Sequence, residues 1–221
     1  MTHHELREFA DAETTARAAG AFITSLIAET IAERGQCAIA LSGGSTPWSA
    51  FRALAAMDVD WEHVSVFQVD ERIAPDGDEH RNLTQLTECL GTLPVRIVAM
   101  PVTEADLDAA ADAYAAQLPD RFDLVHLGLG PDGHTASLVP DDPVLGVRDK
   151  LVAITGPYQG HQRMTLTFPA LGRADLLLWL VAGADKRDAL ARLLRGDASI
   201  PAGSVSAPRS VVMADAAAAS S

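Results

Sequence analysis

Basic stretches are missing from this sequence. Its 17 lysines and arginines stand against 30 aspartates and glutamates, a formal net charge of -13 over 221 residues. No run of basic residues occurs, which argues against a nucleic-acid partner, because phosphate contacts need clustered Lys and Arg. An anionic ligand would therefore need a locally positive pocket. Cysteine is scarce too: Cys37 and Cys89 are the only two. Two cysteines build no disulfide framework, and no C-x-x-C spacing is present. Cys37 opens an apolar run and reads as a small buried residue. No H-E-x-x-H spacing and no Cys-His cluster occurs, so no metal or other cofactor is expected. No G-x-S-x-G is present, which removes a serine-hydrolase elbow. Long apolar runs are absent as well. The strongest, Leu176 to Ala182, is far too short to span a bilayer. The N-terminal stretch MTHHELREFADAE is charged and has no apolar signal core. A cytoplasmic protein without a membrane partner is expected.

What remains is apolar and rich in alanine. Apolar residues make up 48% and aromatics only 5%. That favours an α/β architecture over a β-sandwich and allows a sizeable core. Helical spacing runs through residues 11–34 (Ala19, Phe22, Ile23, Leu26, Ile27, Ile31), with Gly35 as a helix stop. Cys37 to Leu41 is a short apolar strand leading into SGGSTP. There Thr46 suits a helix cap, and Pro47 the first helical position. Val64 to Val69 is a second strand, ending at Asp70-Glu71-Arg72. A polar loop and a short helix to Leu90 follow. Arg96 to Met100 reads as a strand. Thr103 to Leu118 reads as a helix, with Thr103 and Asp106 spaced like a capping box. Phe122 to Leu129 is a strand. Leu151 to Thr155, Met164 to Phe168, Asp175 to Val181 and Ser210 to Ala214 are strand-like. Asp185 to Arg195 is an amphipathic helix, and the terminal AAAASS reads as a frayed tail. With no long linker, repeat or composition break, residues 1–221 read as one α/β domain whose mostly parallel sheet is flanked by helices.

In such sheets, ligands bind beyond the carboxyl ends of the strands. Three strand ends carry unusual polar loops: SGGSTP, DER and GPDGHT. The third belongs to GLGPDGHTASLVP (residues 128–140), which opens with the dinucleotide spelling G-x-G-x-x-G. Pro140 and Pro143 leave room for only one or two helical turns, whereas a dinucleotide turn needs a full helix. Asp132 and His134 flank a glycine there, and an imidazole is able to accept a proton near neutral pH. The loop is thus either a general-base site or a tight turn with an exposed histidine. In SGGSTP, Gly43 and Gly44 expose backbone amides, Ser45 and Thr46 add hydroxyls, and a helix start follows. That suits a phosphate monoester, although an ordinary capped turn has the same spelling. It is not a Walker loop, because no G-K-[ST] follows.

These motifs together resemble the 6-phosphogluconolactonase family. The matching residues are Leu41-Ser-Gly-Gly-Ser-Thr-Pro47, Asp70-Glu-Arg72 and Gly128 to Leu138. Arg163-Met-Thr-Leu-Thr167 and Gly183-Ala-Asp-Lys186 follow in family order. The resemblance covers nearly the whole chain. It implies the fold shared by glucosamine-6-phosphate deaminase and ribose-5-phosphate isomerase. It implies hydrolysis of 6-phospho-D-glucono-1,5-lactone, the second step of the oxidative pentose phosphate pathway, by a monomer or small homo-oligomer.

On that resemblance His134 is the base that activates water, and Asp132 orients its imidazole or meets a sugar hydroxyl. Amides of the glycine loop, including Gly130 and Gly133, face the developing oxyanion, helped by Arg72. Gly43, Gly44, Ser45 and Thr46 hold the phosphate, with Lys186 and Arg163 adding charge. Asp70 aligns with a proton-transfer acid of the deaminases; here a structural or substrate-contact role is expected. Arg72 is equally able to form a local ion pair, and Arg163 to be a simple surface residue. His126, alternating within a strand, reads as packed; His161 stands near Arg163; His3, His4, His63 and His80 carry no site signal. Val139, the Arg81-Asn82 pair and Gly172 depart from the family pattern. Two alternatives differ in class. A deaminase of the same superfamily would carry an acid after the histidine, where Thr135 to Pro140 has none. A non-catalytic sugar-phosphate sensor would usually carry a DNA-binding module, for which no helix-turn-helix candidate exists.

Overall fold

The computed structural model describes residues 3–220. In chain order the elements are β1 (His4–Phe9), α1 (Ala12–Arg34), β2 (Cys37–Leu41), α2 (Ser45–Ala55), β3 (Val64–Gln68), β4 (Asp70–Arg72) and α3 (Asn82–Leu90). Next come β5 (Arg96–Val98), α4 (Leu107–Ala115), β6 (Leu124–Gly128), β7 (Val152–Ile154), β8 (Arg163–Leu166) and α5 (Phe168–Leu171). The chain ends with β9 (Leu176–Val181), α6 (Arg187–Leu194), β10 (Arg209–Asp215) and α7 (Ala216–Ala219). Seven strands form one sheet in the order β1-β10-β9-β6-β2-β3-β5. Every pairing in it is parallel.

Period-two alternation divides the core into two layers. Leu176, Leu178 and Leu180 of β9 face α1, α2 and α3, through Ile23, Ile27, Phe51, Leu54 and Leu86. Leu177, Trp179 and Val181 face the other layer, where Tyr114 of α4, Met164 and Leu166 of β8, and Leu190 and Leu193 of α6 pack. Because β9 is covered on both faces, its six residues are all buried and its sequence is a continuous apolar run. At α1 the sequence signals hold. Asp11 caps the helix through Thr14 N, and Gly35 ends it at φ 77°.

Other expectations are corrected. Asp70-Glu71-Arg72 is not a loop but β4, the edge of a second, antiparallel sheet in the order β4-β8-β7. Its partners on β8 are Thr165, Met164 and Arg163. A three-residue polar strand offers no hydrophobic period to read. The helix expected from Thr103 begins at Leu107, because Asp106 is itself the cap and accepts from Ala109 N at 3.0 Å. Helix α2 begins at Ser45, not Pro47. Gly44, at φ 134°, is its cap, and no side chain caps it. Pro47 is tolerated because first-turn amides have no helical acceptor to lose. The AAAASS tail is not simply frayed: Asp215 caps α7 through Ala218 N at 2.8 Å, and Ala218 is buried. The N-terminal stretch supplies β1, whose His4 Nδ1 lies 2.8 Å from Ser210 Oγ.

Chain direction fixes the place of any site. From β2 the sheet runs outward through β3 and β5. From its neighbour β6 it runs outward through β9 and β10. The β2/β6 boundary is therefore the topological switch point, and the loops leaving these strands diverge into a crevice. They are the SGGSTP and GLGPDGHT loops.

Candidate active site

A cavity of about 210 Å³ opens in that crevice. Its walls include Gly43, Gly44, Thr46, Asp70, Arg72, Gly130, His134, Arg163 and Lys186. Nine of the residues expected from sequence therefore converge. Asp132 lies behind His134 rather than on the wall. Gly133 lies beneath the loop against Ile200, at φ 83°. The side chain of Ser45 lies outside the described residues.

His134 stands on a loop closed by its own backbone: Gly130 N donates to His134 O at 2.9 Å, and Gly133 N to Gly130 O at 3.0 Å. This corrects one expectation, since these two amides are spent within the loop and do not face an oxyanion. His134 Nδ1 lies 2.6 Å from Asp132 Oδ1, and the His134 amide donates to the same oxygen at 3.1 Å. Burial alone would raise the Asp132 carboxyl. The His134 amide and facing imidazole outweigh it and hold the carboxyl below its ordinary range. An ionised carboxylate only accepts, so Nδ1 carries a proton, and the neutral imidazole has its lone pair on Nε2. The glycine at 130 makes this pair possible. A Cβ there would stand 2.0 Å from His134 Nδ1 and 2.6 Å from Asp132 Oδ1. The dinucleotide spelling is thus met for another reason: the glycine gives room to a histidine-aspartate pair.

The opposite wall comes from the small sheet. Arg72 and Arg163 are directly opposed across β4 and β8. Like charges placed so are destabilising, which marks the pair as held by its surroundings. Arg72 is not in a local ion pair. Its Nη1 donates to Asn82 Oδ1 at 2.6 Å and to His80 O at 2.8 Å. Arg163 is not a surface residue, being only 5% exposed. The Nε atoms of both arginines are buried and have no hydrogen-bond partner among the described residues. Asp70 is buried beside them. It accepts from Ser137 Oγ at 2.7 Å and Asn82 Nδ2 at 3.2 Å, tying β4 to the His134 loop.

Sequence reasoning missed what holds this wall. Glu71, fully buried, accepts from the amides of Arg72, Asn82 and Leu83 at 2.7–2.8 Å and from Gln68 Nε2 at 2.8 Å. It sits at the positive end of α3, with buried Arg81 Nε 3.3 Å away. Asn82, the first residue of α3, is thereby set between Asp70 and Arg72 and against Gly43, where a Cβ would meet Asn82 Oδ1 at 2.0 Å. The unusual Arg81 is thus a buried counter-ion rather than a pocket residue. His126 is packed, as its alternation indicated. It is fully buried, and its Nδ1 accepts from Ser42 N at 3.3 Å at the start of the glycine turn. Burial depresses it to about 3, so it stays neutral. Lys186 reaches the cavity from the turn before α6, with Asp185 Oδ2 3.0 Å from its Nζ. That turn is pinned by Gly183 N donating to both carboxylate oxygens of Asp215 at 3.1 Å.

Arg72, Arg163 and Lys186 thus face His134 across one cavity that also holds the first turn of α2. The family described as glucosamine-6-phosphate isomerases/6-phosphogluconolactonase matches residues 10–214. The chain belongs to this family. Among its members, the 6-phosphogluconolactonase of Synechocystis sp. is 38% identical over 190 residues, covering 80% of this chain and 79% of that protein. The 6-phosphogluconolactonase of Streptomyces coelicolor is 35% identical, covering 95% of this chain and 91% of its own. The crystal structure of Thermotoga maritima 6-phosphogluconolactonase superposes with a TM-score of 0.88 at 26% identity, over 96% of this chain and 99% of that one. A monomeric glucosamine-6-phosphate deaminase shares the fold, at a TM-score of 0.85 and 18% identity. Among the described residues, no helix is long and apolar enough to cross a membrane. No group of three or more His, Cys, Asp or Glu among them is placed to hold a metal ion.

Proposed function

We propose that this chain hydrolyses 6-phospho-D-glucono-1,5-lactone to 6-phospho-D-gluconate, with His134 activating the attacking water. The observation that carries this is the Asp132–His134 pair on one wall of a cavity whose other walls are cationic. A δ-lactone is an activated ester. It needs a positioned water and charge stabilisation more than a covalent nucleophile. With Nδ1 directed at Asp132, His134 Nε2 takes the proton of a water attacking the ring carbonyl. The imidazolium then returns that proton to the departing ring oxygen. Asp132 holds the tautomer and stabilises the imidazolium.

The phosphate rests on Gly43, Gly44 and Thr46 at the start of α2, where first-turn amides have no helical acceptor. Lys186 lies beside it. Arg72 and Arg163, side by side, supply the positive field over the carbonyl oxygen as it gains charge. Asp70 positions this wall through Asn82 and Ser137. That substrate makes the reaction the second step of the oxidative pentose phosphate pathway, and a cytoplasmic location is proposed with it.

The test is turnover of freshly generated lactone, with spontaneous opening subtracted. Wild type is expected to accelerate opening. His134→Ala is expected to lose at least about 10²-fold in kcat while still binding 6-phosphogluconate. No acceleration by folded wild type would overturn the lactonase proposal. Full acceleration in His134→Ala would remove His134 from its role.

A further inference from the structure

Tyr158 lies at the end of the hairpin between β7 and β8. Its ring meets the His134 imidazole edge-on, with centroids 5.4 Å apart and planes at 65°. Its hydroxyl lies 3.4 Å from Asp132 Oδ2, the carboxylate oxygen that His134 does not use. Tyr158 is not part of the cavity wall, although its neighbours Gln159 and Arg163 are. It therefore touches the catalytic pair from behind.

Three features fix it there. The Arg163 guanidinium stacks over the ring at 5.1 Å from the centroid. Tyr158 and His161 exchange backbone hydrogen bonds, at 2.9 and 3.2 Å. Between them Gln159 and Gly160 both take positive φ, 49° and 83°. That is the two-residue turn whose twist matches a hairpin. A non-glycine residue is uncommon in this region. Here the conformation brings Gln159 Nε2 to 3.3 Å from the Tyr158 hydroxyl. The amide donates to the phenol oxygen, which leaves the phenol hydrogen for Asp132. Burial, and then the Asp132 charge, push the phenol up from its ordinary value, so Tyr158 is protonated and donates at neutral pH.

We propose that Tyr158 is a positioning residue: it clamps the free oxygen of Asp132 and the face of His134, so that the imidazole keeps one tautomer and one orientation. The histidine thus belongs to a chain of contacts, Gln159 to Tyr158 to Asp132 to His134, that begins on the cavity wall. The charged groups facing the pair are Asp132 itself, Arg163 above the Tyr158 ring, and Arg72 and Lys186 across the cavity. The Tyr158 side chain contacts both members.

The kinetic arm of the test rests on the lactonase proposal, and a spectroscopic arm does not. Tyr158→Phe keeps the ring and loses the hydroxyl; Tyr158→Ala loses both. Tyr158→Phe is expected to lower kcat about threefold to tenfold, and Tyr158→Ala about 10²-fold. KM and 6-phosphogluconate affinity should stay within about twofold, as for a group that touches no substrate. Wild-type kcat in both variants, or a raised KM at unchanged kcat, would overturn the proposal. In parallel, long-range proton–nitrogen spectra of the His134 ring report its tautomer. Wild type is expected to show the Nδ1-protonated form. The other form should grow in Tyr158→Phe and further in Tyr158→Ala. An unchanged tautomer in both variants would overturn the proposal even if wild type hydrolyses no lactone. A lactone failure with altered tautomers would instead overturn only the substrate assignment.

Discussion

At the scale of single residues, the site depends as much on absent side chains as on present ones. Gly130 leaves the space that His134 and Asp132 fill. Its φ is not in the left-handed region, so alanine is allowed by the backbone but not by the pair. Gly130→Ala is therefore expected to lower kcat by about 10²-fold or more, since displacing a reacting group by about 1 Å has that effect. Folding stability should change by less than about 1 kcal/mol. Lactone kinetics beside urea denaturation will separate the two, and a large loss of stability with kcat unchanged would contradict the steric account. Cys37 makes the opposite point. Burial, and then Asp123, push its thiol up to about 12, so it is an inert packing residue despite its nucleophilic chemistry.

At the scale of elements, the arginine wall depends on one buried carboxylate at the start of α3. Glu71 satisfies two first-turn amides and stands beside buried Arg81. Removing one partner of such a set leaves the other charge uncompensated. Glu71→Ala is expected to cost about 3–5 kcal/mol in urea denaturation and to release Asn82 and Arg72 from the cavity. A loss below about 1 kcal/mol would show that water replaces the carboxylate. This element also marks where legibility in the sequence ended. The glycine turns and the Asp132–His134 spacing were readable because their chemistry is local. Six of the seven parallel strands were readable because β9 and its neighbours are apolar on both faces; β1, a charged strand at the sheet edge, was not. The small sheet was not, since β4 is three polar residues whose partners lie over 90 positions away. Nor were Glu71 and Arg81, because charged residues read as surface until tertiary structure pairs them. Tyr158 had only a Gln-Gly turn beside it, and no local pattern points a phenol at Asp132. His126 was legible as packed from strand alternation, but its bond to Ser42 was not.

At the scale of the whole molecule, that same histidine links the fold to pH. His126 is fully buried, touches the Phe51 ring edge-on at 5.3 Å and holds the first amide of the glycine turn after β2. Its pKa falls from 6.5 to about 3 on folding. The unfolded chain therefore binds the proton more readily. A depressed histidine contributes stability that is fully present above pH 6.5 and is lost as pH falls from there towards 3. Between pH 7 and pH 5 this one group should cost about 2 kcal/mol. Carboxylates also titrate towards the lower end of this range, so the comparison must be differential. His126→Asn keeps an acceptor for Ser42 N but cannot be protonated in that range. It is expected to be less stable than wild type at pH 7, because it leaves a cavity beside Phe51. The gap should then shrink by about 2 kcal/mol by pH 5. Urea denaturation of both proteins at the two pH values measures this directly. A gap that stays constant would mean that His126 reaches water in the folded state, and that the sheet centre beneath the glycine turn is wetter than its burial implies.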